Sequence, residues 1–172
     1  IAQVGIVGCV EADQYRSGEI RKHEKTRPDK EDDRTRHLLA TASHAEPVFL
    51  CFRDAPTEGT TIHSMMEADM ESSPLFDFVA PDGVQHTGWC VADPTRYVSA
   101  FEQLNRLYIA DGHHRSAGAE RAATASKQVD GHHSEEKEYG RFLAVVFPHD
   151  QLRILPYNRV VADLNGLSAD EF

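Results

Sequence analysis

Residues 108–115 read Tyr-Ile-Ala-Asp-Gly-His-His-Arg, and their types and order describe an anion site. A short apolar run ends in Asp111-Gly112, His113, His114 and Arg115 follow at once, and Ser116–Ala123 is rich in small residues suited to a helix. Strand, glycine turn and helix start in that order bring free backbone N–H groups and the positive end of the helix dipole to one point. A guanidinium such as Arg115 can grip a phosphate through two parallel hydrogen bonds. The sequence therefore predicts that Gly112, His113, His114 and Arg115 hold phosphate. Asp111, too close to the phosphates to bind them directly as an anion, is expected to orient a His or Arg or to hold Mg2+ between phosphates.

A second set of chemically capable residues lies far upstream. The stretch from Glu19 to Arg36 holds seven of the 18 basic residues and six of the 28 acidic ones. Pro28 marks the first turn of a helix expected from about Asp29 to Ala42, with acids at 29 and 31–33 suited to its N-terminus. His23-Glu24 precedes that helix instead of lying on its outer face, and Thr26-Arg27 adds a hydroxyl and a guanidinium. A carboxylate such as Glu24 can act there as general base on a substrate hydroxyl, with His23, Arg27 and Lys30 on the substrate side. A third stretch, Tyr157–Gly166, sets Asn158 and Arg159 beside Val160-Val161 and reads either as an edge strand and turn or as another substrate-binding wall of the same cleft.

Other chemistries are disfavoured. Adjacent histidines on one element point apart, so Asp-Gly-His-His at 111–114 and again at 130–133 gives a poor zinc site, and no metal-ligand set is expected. Ser116 lacks the glycine-flanked elbow of a nucleophilic serine. The formal charge of −10 argues against a broad nucleic-acid surface. No apolar run approaches the ~20 residues that span a bilayer. Cys9, Cys51 and Cys90 are odd in number and form no CxxC pair, which fits reduced thiols and a cytoplasmic setting.

Strands and helices must alternate to position these residues. Strands are expected over Ile1–Val10, Pro47–Arg53 and Leu107–Ala110, with 13–18 as a turn. Helices are expected over Thr60–Glu71, Pro94–Leu104 and from His113 to about Lys127, followed by a polar loop over Val129–Glu138. Two hairpins are expected, one flanking Pro81-Asp82-Gly83 and one joining Arg141–Phe147 to Leu152–Leu155. The class is α/β, with α+β as the alternative, built on a mixed sheet with flanking helices. The start at Ile1 inside an apolar run, and the helix-opening box Ser168–Glu171 at the other end, suggest a single domain cut from the middle of a longer polypeptide.

The motifs GIVGCV, HE-K-TRPDKEDDR, LYIADGHHR, VFP-x-D-QL-x-IL and YNRVV-x-DLNG follow one another along nearly the whole chain. On them the chain resembles the family called domain of unknown function 1015, and that family looks related to the ParB/sulfiredoxin superfamily. The resemblance implies a phosphate-binding core of about 1–42 and 105–166 with an insertion of about 43–104. It likens Gly112–Arg115 to the superfamily's motif for nucleotide phosphates, and Glu24 of His23-Glu24 to the catalytic Glu that free L-serine kinases carry within a His-Glu pair. A nucleotide, ATP or ADP, with Mg2+ is then the expected cofactor, and a small hydroxyl metabolite the expected phosphoryl acceptor. Sulfiredoxin's cysteine would fall where His113 stands, so that reduction is not expected. The alternative is a ParB-like nucleotide-gated DNA-binding or regulatory module.

Overall fold

A computed structural model describes residues 2–54, 60–130 and 137–172. Seven strands are present among them: β1 (Ile6–Glu11), β2 (Ile20–Arg21), β3 (Val48–Phe52), β4 (Phe76–Val79), β5 (Gln85–Gly88), β6 (Leu107–Asp111) and β7 (Arg141–Pro148). The five helices are α1 (Ala12–Ser17), α2 (Pro28–Thr41), α3 (Ile62–Met70), α4 (Thr95–Glu102) and α5 (His113–Asp130). Five strands form one sheet in the order β1-β7-β3-β6-β2, and β4 and β5 form a separate hairpin. Within the sheet β1 and β7 are antiparallel, β7 and β3 parallel, β3 and β6 antiparallel, and β6 and β2 parallel. The mixed α/β class with helices beside a mixed sheet is therefore correct.

Side-chain alternation sets the layers. Val48, Leu50 and Phe52 of β3 and Phe142, Ala144 and Val146 of β7 are buried, and they face the helices in one apolar core. Their neighbours along the strands, Phe49, Cys51, Leu143, Val145 and Phe147, are half-buried on the other face. Helix α5 crosses the core side and presents small residues to its neighbours: Ser116, Ala117, Gly118, Ala119, Ala122 and Ala123 are all buried. Where α2 crosses, a Cβ on Gly118 would stand 2.8 Å from Arg34 Cβ. Only a residue without a side chain lets the two backbones approach so closely. Across the same seam Arg121 reaches Glu31 at 3.1 Å.

Several expectations need correction. Residues 13–18 are not a turn but most of α1, one short helix closed by Gly18 at φ 83°. Six residues give too little periodicity to register, although Ala12 and Tyr15, three apart, both face the core. The first strand begins at Ile6, not Ile1. Leu152–Leu155 forms no strand among the described residues, and Ile154 is 98% exposed. Both edges of β7 are already paired, with β1 and with β3, so a returning hairpin strand has no edge to join. The segment set apart as an insertion supplies β3, the middle strand of the sheet; what stands outside the sheet begins after Phe52. Helix α5 runs to Asp130, past Lys127, so it takes the start of the expected polar loop, whose remainder falls largely outside the described residues along with His132 and His133. Among the described residues no helix is long and apolar enough to cross a membrane.

Candidate functional site

Two parallel neighbours, β2 and β6, each run into a loop and then a helix, and the two helices, α2 and α5, pack together. Both helix N-termini therefore open at the same end of the sheet. In α/β sheets ligands collect at the carboxyl ends of strands, where loops can present backbone donors. The 90-residue separation of His23 and His113 in sequence collapses here to ring contact, with centroids 4.3 Å apart in an edge-to-face arrangement.

Helix α5 begins as its sequence predicts. Gly112 takes φ 95°, a left-handed conformation that disfavours a side chain, and its carbonyl accepts from the Ser116 N–H at 2.9 Å and the Ser116 hydroxyl at 3.1 Å. The N–H groups of the first turn have no acceptor within a helix and are the donors an anion would meet. Just before this turn the β3–β6 register shifts, because Phe49 pairs with Asp111 while Leu50 pairs with Ile109. The extra residue, Ala110, makes a bulge that leaves Asp111 paired with Phe49 at the strand end, and Gly112 then turns the chain into α5.

Asp111 pairs with Arg115, the contact expected of a residue that orients that side chain. Its Oδ2 accepts from Arg115 Nη2 at 2.7 Å. Arg115 Nη1 donates to the Pro47 carbonyl at 2.6 Å and lies 3.4 Å from Glu46 Oε2. The guanidinium folds back over Gly112, where a Cβ would stand 3.1 Å from Nε. Glu46 and Pro47 carried no signal of their own, since their role depends on β3 lying next to β6.

The two histidines do something the sequence did not suggest. The His113 side chain is only 3% exposed, and its Nε2 accepts the backbone N–H of His23 at 3.4 Å. With Nε2 accepting, the ring proton belongs on Nδ1, which faces Glu24 Oε2 across 3.6 Å. His114 Nε2 accepts the backbone N–H of Arg27 at 3.2 Å. Both imidazoles are thus turned to the 22–27 loop, and the contact His113 can offer an anion is its backbone N–H. Burial holds the His113 imidazole below its usual range; the neighbouring His23 adds to this, and Glu24 and Asp111 oppose it.

The upstream residues fall into two groups. Glu24 stands beside the α5 N-terminus with its side chain 59% exposed. Arg27 caps α2 and pairs with Asp29 at 2.7 Å, and Lys30 lies exposed in the first turn of α2. Arg27 holds the Asp29 carboxyl below the usual carboxylate range. Asn158 and Arg159 lie exposed in a stretch without regular structure, and among the described residues no hydrogen bond joins them to this site. Further supports were missed in the sequence. Glu31 accepts from Thr26 and Arg121, which ties the loop to both helices. Lys22 Nζ sits 3.7 Å over the Tyr15 ring. The signal for Glu31 was hidden in a run of charge that looks like solvated surface.

The family model described as "Protein of unknown function (DUF1015)" matches residues 1–172, and the chain belongs to that family. No curated protein and no solved structure matches it.

Proposed function

We propose that the chain carries a phosphoryl-transfer site that moves a phosphoryl group from a nucleotide to a small hydroxyl compound, in the manner of free serine kinases and on a ParB/sulfiredoxin-like core. The observation that carries this reading is the meeting of Glu24 with the N-terminus of α5, 3.6 Å apart at His113 Nδ1, across about half of the chain. A general base and an anion cradle are the two parts such a reaction needs side by side.

The residues fit a nucleotide's phosphates better than a metal of their own. The first-turn N–H groups after Gly112 suit phosphate oxygens, and Arg115 adds a cation held by Asp111. Among the described residues no three His, Cys, Asp or Glu side chains gather to hold a metal ion. Mg2+ would therefore be held chiefly by phosphate oxygens and water, where it would offset phosphate charge. Glu24 would accept the proton of the acceptor hydroxyl as its oxygen bonds to phosphorus, and the electron pair of the broken bond would leave on the nucleotide. Arg27 and Lys30 would hold an anionic group of the acceptor.

The first test is a thermal-shift series with ADP, ATP, CTP and pyrophosphate, each with Mg2+. A ligand at 100 times its Kd should stabilise the fold by about 2.7 kcal/mol. No shift with any of them removes the nucleotide reading. The second test is Glu24→Gln, for which turnover should fall by at least ~100-fold while the nucleotide shift persists. Retained turnover would take the base role from Glu24.

A further inference from the structure

We propose that His113 and His114 are positioning residues, a pair of neutral imidazole acceptors that latch the Glu24-bearing loop onto the start of α5 and release it when they are protonated. The two bonds take hold near the two ends of one short loop, at the His23 N–H, 3.4 Å from His113 Nε2, and at the Arg27 N–H, 3.2 Å from His114 Nε2. Glu24 lies between these fastenings. Adjacent residues at a helix start point in different directions, which is why two consecutive histidines can reach two separated amides. An imidazole accepts at one nitrogen only while neutral, and an imidazolium has two donors and no acceptor. Protonation would set N–H against N–H at either fastening.

The surroundings determine when this happens. His113 is faced by His23 and Glu24 of the loop, Asp111 at the end of β6, and His114 on its own helix. Its ring is enclosed, 4% of the residue being exposed, and the edge-to-face His23 ring covers it. Burial and the two histidines oppose a proton, and the two carboxylates favour it. The first of these win, so the His113 fastening stays closed at neutral pH and opens on the acid side of the usual imidazole range, near 6.5. Its effect on catalysis rests on the role proposed for Glu24; the latch itself needs no ligand.

Amide hydrogen exchange of the whole chain, corrected for intrinsic pH dependence, reads the latch directly. In the wild type, protection of the His23 and Arg27 amides should fall about fivefold per bond as the pH drops through the histidine range, the change expected for one net hydrogen bond. In H113Q the His23 amide, and in H114Q the Arg27 amide, should keep a protection that no longer varies with pH, because a glutamine oxygen accepts near the same place and does not titrate. An unchanged pH dependence in these variants, or none in the wild type, overturns the proposal. Should a variant fail to fold, imidazole nitrogen NMR on the wild type decides: protons on Nδ1 of both rings at neutral pH support the latch, and protons on Nε2 overturn it. These readouts are independent of nucleotide. A working latch without nucleotide binding would sink the phosphoryl-transfer reading alone, and a Glu24-dependent kinase with unlatched histidines would sink the latch alone.

Discussion

Gly112 concentrates the demands of the site in one residue. Its φ of 95° favours a residue without Cβ, and the Arg115 guanidinium lies where that Cβ would go. Gly112→Ala should therefore cost about 1–2 kcal/mol from the left-handed backbone, and should also push Arg115 off Asp111. The expected outcome is a lower denaturant midpoint together with weaker phosphate-dependent stabilisation. An alanine variant with unchanged stability would mean that the backbone relaxes there. At this scale the sequence was informative about identity and less so about direction. Asp111, Gly112 and Arg115 could be assigned to one helix start from their order, because that order is a local property of the chain. The aim of the two imidazoles could not, since it depends on a loop 90 residues upstream in sequence.

The packing of α2 against α5 brings two helix starts together. Small residues along α5 allow the approach, and Gly118 is its closest point, with Arg34 Cβ and the Thr35 backbone directly across. Gly118→Ala should separate the helices and cost about 1–3 kcal/mol, as overpacking does elsewhere in dense interiors. Because α2 carries the Glu24 loop on its N-terminal side, the same change should weaken the protection of the His23 amide. Urea unfolding and amide exchange would read both effects, and stability equal to or above wild type would overturn the close-packing account. Most helices and the Pro81–Gly83 hairpin were legible in the sequence, from hydrophobic spacing and turn residues. Helix α1 was too short to register, and the expected strand at Leu152–Leu155 was lost to pairing already completed on both sides of β7.

For the molecule as a whole, titration of buried groups limits stability on both sides of neutrality. Burial holds the His113 and His44 imidazoles below their usual range. The unfolded chain then takes up protons first, so their contribution is full above about pH 6.5 and is lost as pH falls through the lowered folded values. Burial raises the Asp69 carboxyl, but bonds from Tyr97 and Arg96 outweigh it and leave it lowered, so a further contribution disappears in stronger acid. Burial raises the phenols of Tyr97 and Tyr15, and the contribution of each is present below about pH 10 and lost above it. Denaturant midpoints measured across pH should show a plateau between these limits. A stability maximum below pH 6 would contradict the burial of the two imidazoles.

The amino-acid sequence by itself determined the α/β class, the placing of most elements, the family resemblance, and the helix start that marks the candidate site. These follow from periodicity, turn chemistry and short motifs, all of which act over a few residues. Only the tertiary structure decided that Glu24 meets His113, that Arg115 also reaches the Pro47 carbonyl, and that the histidines face a loop. Each of those contacts depends on which strands lie side by side in the sheet. That choice comes from burying a shared apolar face across the whole chain, and no local stretch of sequence encodes it.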